Sequence, residues 1–176
     1  PLSTLHPLIK IGKQLEEAYN EHSASKENEA TERGKELLKL VQIPNIDIVW
    51  NSYPHELSGG MRQRVSIAMA LTNEPELIIA DEPTTALDVT VQAQILSLLD
   101  ELRKKKGLSI LFISHDFGVV SQICDRVIVM YGGKIVEEGK AESIMKKPRH
   151  HYTSQLMECV TPVSYTHLRA HETKSY

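Results

Sequence analysis

Two short apolar runs, residues 77–80 and 108–113, bracket a stretch in which Val91, Ile95, Leu98, Leu99 and Leu102 repeat at helical spacing. Runs apolar at every position suit strands buried on both faces, as in parallel sheets. A helix between two such strands is a crossover connection, which restricts the chain to α/β architecture. Asp88 can cap the start of that helix and Gly107 can end it. A third run, 127–130, reads as another strand of this kind. Gly132 and Gly133 after it supply the positive φ of a tight hairpin leading into Ile135 and Val136.

The stretch before residue 57 has a different period. Leu5, Leu8, Ile11, Leu15, Ala18 and Tyr19 fall on one helical face, and a polar stretch over 20–26 interrupts them. Ala30, Leu37, Leu38 and Val41 predict a second helix, which Pro44 should stop. Residues 1–56 therefore read as mainly helical. With 176 residues and 41% hydrophobic content, the chain supports one ordinary core. A net charge of -3 gives no electrostatic reason to expect nucleic acid as a partner. Cys124 and Cys159 form no CxxC, so neither a disulfide framework nor a zinc site is indicated, and a reducing compartment fits best. No apolar run approaches the roughly twenty residues of a spanning helix, so membrane association is expected to come through a partner.

Candidate chemistry lies in four strings. Leu57-Ser58-Gly59-Gly60-Met61-Arg62-Gln63-Arg64 opens a run with helical spacing at Val65, Ala68, Met69 and Leu71. A hydroxyl, bare backbone amides and a helix N-terminus together attract anions, although Ser58 alone is an ordinary N-cap. Leu77-Ile78-Ile79-Ala80-Asp81-Glu82 delivers two carboxylates at the C-terminal end of a strand, where open α/β sheets place ligands. Pro83-Thr84-Thr85-Ala86-Leu87-Asp88 follows directly, and Ser114-His115-Asp116 follows the next strand. An acidic pair after a strand is usually a solvated loop, and a strand-end histidine is usually structural; their order along the chain is what carries the inference. The adjacent His150-His151 has no supporting carboxylate or cysteine spacing and is assigned no catalytic or metal role.

In that order the strings resemble the signature motif, Walker B strand, D-loop and H-loop of ABC transporter ATPases, over about residues 1–160. Tyr53-Pro54-His55-Glu56, Ala86-Leu87-Asp88-Val89-Thr90-Val91-Gln92 and His151-Tyr152-Thr153 are similar to the oligopeptide, dipeptide and nickel importer branch. The last departs from that branch in having His150-His151 for His-Pro. The resemblance implies a partial P-loop NTPase-type core with parallel strands and a helical signature subdomain. It implies ATP as substrate, bound by Ser58, Gly59, Gly60, Gln63 and Asp88 across a subunit interface, and Mg²⁺ held by Asp81. Glu82 is then the general base and His115 the γ-phosphate contact. The implied partners are a second ATPase subunit, identical or paralogous, membrane permease subunits and, indirectly, a substrate-binding protein. The implied place is the cytoplasmic face of the cell membrane.

The corresponding organisation is a partial helical subdomain at 1–56, the signature motif and helix at 57–76, and the Walker B, D-loop and H-loop part of the core at 77–139. A helical extension follows at 140–162, and residues 163–176 are expected to be non-native. Residues 164–173 match, in frame, the translation of a transposon-based library adapter. No G-x-x-x-x-G-K-[ST] occurs in the chain, and the family's adenine-contacting aromatic and Q-loop glutamine are not found. With Pro1 at its start, the chain is expected to be a fragment that neither binds ATP tightly nor hydrolyses it alone. Two rival readings are a soluble ABC ATPase acting on DNA or ribosomes, marked by coiled coils or tandem ATPase halves, and a non-catalytic partner-binding module.

Overall fold

The computed structural model describes residues 5–21 and 27–158, so the expected adapter-derived tail and Cys159 lie outside the described residues. The chain divides into two compact units, Pro1–Ile113 and Ser114–Tyr176.

In the first unit, α1 (Ile11–Asn20), α2 (Glu27–Leu40), α3 (Ile46–Asn51) and α4 (Gly59–Ala70) pack together around Ile11, Leu15, Leu37, Leu38, Val41, Val49, Val65 and Ala68. The helical period starting at Leu5 does not become helix until Ile11, and Leu8 is exposed. The reason is Gln14, whose buried side chain amide donates to the carbonyls of His6 (3.0 Å) and Ile9 (2.7 Å) while its Oε1 accepts from His6 N–H (2.8 Å). These bonds satisfy the amide only if residues 6–9 loop back over the first turn. The second helix ends at Leu40, earlier than Pro44 alone requires. Gln42 takes a left-handed φ of 60°, and Ile43 N–H reaches back to Leu38 O (2.9 Å), a Schellman-type ending.

Trp50 on α3 wedges between α1 and α2. A Cβ on Gly12 would collide with its indole, and one on Gly34 would lie 2.7 Å from it. The two glycines are thus what allow the three helices to close around a large aromatic ring.

The crossover forms as expected. β1 (Leu77–Asp81) runs parallel to β2 (Ser109–Ile113), with Leu77 opposite Ser109 and Asp81 opposite Ile113, and α5 (Val89–Lys106) lies between them in sequence. Asp88 Oδ1 caps α5 by accepting from Val91 N–H (2.9 Å), and Gly107 ends it at φ 67°. α5 buries Ile95, Leu98, Leu99 and Leu102. The expectation of strands buried on both faces fails, however. β1 buries Ile78 and Ala80 but leaves Leu77 and Ile79 50% and 63% exposed, and on β2 Leu111 and Ile113 are also exposed. Nothing among the described residues covers that face.

In the second unit, α6 (Phe117–Ile123) precedes β3 (Arg126–Tyr131) and β4 (Lys134–Lys140), followed by α7 (Ala141–Lys146) and α8 (His151–Glu158). The run 127–130 is not a parallel strand. It pairs antiparallel with β4 through the turn at Gly132 and Gly133, whose φ values are 56° and 75°, with a bulge between Val129 and Met130. A two-residue turn can join only antiparallel neighbours, because a parallel return needs a long crossover. Ile128 and Met130 on this ribbon are exposed, while Val127 and Val129 are buried.

Candidate functional site

The signature string begins with a short turn. Glu56 Oε2 accepts from Tyr53 N–H (2.7 Å), and the Tyr53 and His55 rings stack at 5.7 Å. Buried Leu57 anchors the end of this turn, so Ser58 emerges in extended conformation (φ -63°, ψ 162°) as the N-cap of α4. Its Oγ accepts from Met61 N–H at 3.3 Å. Gly59 and Gly60 form the first helical positions, and Gln63 lies half-buried one turn on. Arg64 ties this helix to the end of α2, donating to Val41 O (2.7 Å) and Gln42 Oε1 (3.3 Å). Residue spacing gave no sign of that tie, because the guanidinium donates to a backbone carbonyl 23 positions away.

The two glycines also face the start of α5. A Cβ on Gly59 would meet Leu87 Cδ2 at 3.2 Å, and one on Gly60 would meet Val91 Cγ1 at 2.6 Å. Ser58, Gly59 and Gly60 therefore sit beside the segment that carries Asp88. Bare backbone at this junction lets the two segments approach more closely than a side chain on Gly60 would allow.

Asp81 ends β1 with its side chain exposed, and Glu82 turns sharply away from it. Glu82 adopts φ 48°, in the left-handed region, and Ala86 does the same at φ 63°. Two non-glycine residues in that region within five positions mark a tightly constrained turn of the kind that concentrates at functional sites. Glu82 N–H donates to Ile113 O at 2.9 Å, which pins the turn to the end of β2. The adjacent carboxylates are thus placed by different backbone constraints, Asp81 by the strand and Glu82 by the turn.

His115 lies two residues beyond β2, in the second unit, and is exposed. Asp116 next to it caps α6, accepting from Gly118 N–H (2.9 Å) and Val119 N–H (3.3 Å), and Asp116 N–H donates to Ser114 Oγ (3.0 Å). Of the His150-His151 pair, His150 lies at the start of α8 and is tied there by two hydrogen bonds. His150 Nδ1 accepts from Tyr152 N–H (3.2 Å), and His150 N–H donates to Glu137 Oε2 (3.1 Å). Burial and the neighbouring Asp125 charge push the Cys124 thiol up, which makes it a poor nucleophile.

For a divalent cation the relevant donor is Asp81, an exposed carboxylate at the C-terminal end of a parallel strand. Hard oxygen donors with room for retained water are what Mg²⁺ requires, so the residue fits such an ion.

Residues 4–85 match the family model described as ABC transporter. The oligopeptide transport ATP-binding protein OppD of Bacillus subtilis is 54% identical over 157 residues, covering 89% of this chain and 44% of the relative. OppD of Lactococcus lactis is 52% identical over the same length, covering 46% of that protein. The glutathione import ATP-binding protein GsiA of Escherichia coli is 49% identical over 160 residues, 91% of this chain and 26% of that one. The chain spans less than half the length of these relatives. Among solved structures, the dimeric ATP-binding cassette MJ0796 bound to ADP and Pi superposes with a TM-score of 0.68 at 33% identity, over 78% of this chain and 59% of that one. The cassette cbiO1 of Clostridium perfringens gives 0.71 at 29% identity, over 82% and 55%. Identity near one half along nine-tenths of the chain, joined to a shared partial P-loop NTPase fold, leads to one conclusion: over this length the chain matches the ATP-binding subunits of ABC transporters in sequence and their cassettes in fold.

Proposed function

We propose that the protein containing this chain is the ATP-hydrolysing subunit of an importer, energising uptake of peptides across the cytoplasmic membrane from its cytoplasmic face. The observation that carries the proposal is the packing of the signature helix N-terminus against the start of α5, with Gly60 facing Val91, in a unit whose parallel strand β1 ends on Asp81 and is followed by Glu82. The relatives named for oligopeptide and glutathione import favour peptide-like solutes over nickel.

In this reading Ser58, Gly59, Gly60 and Gln63 present hydroxyl, amide and backbone donors to the γ-phosphate of ATP held by a second subunit, with Asp88 contacting that subunit. Glu82 accepts the proton of the attacking water, and His115 contacts the transferred phosphoryl group. Asp81 would hold Mg²⁺, which neutralises charge on the phosphate oxygens when bound. Catalysis of this type rests on positioning and electrostatic stabilisation, which is what a cap, a pinned turn and a strand end provide. The subdomain boundaries at 57, 77 and 140 follow from the same assignment, and permease subunits receive the motion.

The test is Glu82→Gln in the complete ATP-binding subunit assembled with its permeases. ATP turnover should fall by a factor of about 10² or more, the range for loss of a general base. Wild-type turnover in that variant would overturn the assignment. The 176-residue chain alone should show no turnover, since it has no G-x-x-x-x-G-K-[ST].

A further inference from the structure

We infer that Thr85 is a positioning residue for the Glu82 carboxylate, holding its direction through a hydroxyl hydrogen bond; the inference rests on the reading of Glu82 as general base. The Thr85 hydroxyl donates to Glu82 Oε2 at 2.7 Å, and Thr85 N–H donates to Glu82 O at 3.2 Å. One residue therefore grips both the backbone and the side chain of Glu82.

The frame behind this grip is rigid. Glu82 N–H is tied to Ile113 O on β2, and the left-handed φ of 48° swings its side chain out of the strand direction. Pro83, buried, has a ring-fixed φ, and Thr84 is buried with its carbonyl accepting from Leu87 N–H at 3.3 Å. Thr85 itself is exposed, so its hydroxyl contributes little to the core. A glutamate has three side-chain torsions, and each hydrogen bond to its carboxylate removes directions it would otherwise sample. A general base must lie within hydrogen-bond reach of one particular proton. The Thr85 hydroxyl narrows that sampling.

Thr85→Val keeps the shape and deletes the donor; Thr85→Ser keeps the donor. In the complete subunit with its permeases, Thr85→Val should lower kcat about tenfold, the effect of one lost hydrogen bond on a barrier, with KM for ATP unchanged. Thr85→Ser should restore kcat. In the 176-residue chain, the Glu82 side-chain carboxyl carbon resonance should move in Thr85→Val and stay in place in Thr85→Ser. Wild-type kcat in Thr85→Val, or failure of Thr85→Ser to restore it, overturns the proposal, as does an unmoved resonance in Thr85→Val. Glu82→Gln with wild-type turnover would overturn only the general-base reading, since the resonance reports the Thr85 bond independently of chemistry.

Discussion

Gly60→Ala is the substitution that best separates packing from phosphate contact in the signature helix. Helix propensity alone favours alanine by up to about 1 kcal/mol. Geometry opposes it: the new Cβ would lie 2.6 Å from Val91 Cγ1. Carbon atoms pack at about 3.5–4.0 Å, so the contact is short by about 1 Å. Val91 cannot yield cheaply. It is β-branched, with one favoured rotamer in a helix, and its own N–H is fixed by the Asp88 cap at 2.9 Å. Overpacking of this kind costs about 1–3 kcal/mol, which leaves a net loss centred on about 1 kcal/mol after the propensity gain. Urea unfolding followed by fluorescence measures it directly, because Trp50 is the chain's single tryptophan and lies in the same unit. Val91→Ala in the Gly60→Ala background removes the colliding methyl and should recover the loss, giving a coupling energy of about 1 kcal/mol or more. A Gly60→Ala chain as stable as wild type, or two additive substitutions, would refute the packing argument. In the complete subunit, a double variant that regains stability but not ATP turnover would assign the remaining defect to the phosphate side of Gly60.

Two other outcomes follow from contacts outside that junction. Burial pushes the Glu137 carboxyl up, but the Thr153 side chain and the N–H groups of Arg149 (2.9 Å) and His150 (3.1 Å) pull it down further, so it lies below the ordinary carboxylate range. A depressed folded-state value means the stabilisation is fully present above the unfolded range, near pH 4.3, and is lost as pH falls through the lower folded value. Glu137→Gln should cost about 1 kcal/mol at neutral pH and flatten the acid limb of a thermal-shift profile, and an unchanged limb would count against the clamp. Ile79→Lys places a charge on the exposed face of β1, where the side chain is 63% exposed. It should reduce binding of an apolar-surface dye and slow aggregation with stability changed by no more than about 0.5 kcal/mol, whereas a large loss of stability would show that face to be covered.

The elements that could be read from sequence are those whose determinants are local. Asp88 and Ser58 cap the helices they precede, Gly107 ends α5, and Gly132 and Gly133 turn the hairpin, because each acts within four residues of itself. Burial was misread for β1 and β2: apolar character at every position states what a strand can bury, and says nothing of what lies against it. Gln14 and Arg64 escaped notice for a related reason. Both are polar residues on helical faces whose partners are backbone carbonyls exposed only where another segment ends, and no period encodes that. Gly12 and Gly34 were the one unused signal for the Trp50 wedge, since glycine inside a helix costs stability unless something must come close.

The candidate site divides along the same line. Asp81 and Glu82 were recognisable as a pair because a strand delivers them, and strand periodicity is visible in the residues themselves. That the two could divide their roles was legible from their adjacency, but the means was not: Glu82 leaves the β region for φ 48° and its N–H donates to Ile113 O across the sheet. Once the backbone turns there, Pro83 and buried Thr84 leave Thr85 with both donors directed at Glu82, and a threonine that in sequence is one more turn residue becomes a group that holds the carboxylate. Left-handed backbone at Glu82 disfavours the fold locally, and such strain concentrates where the direction of a side chain matters to function.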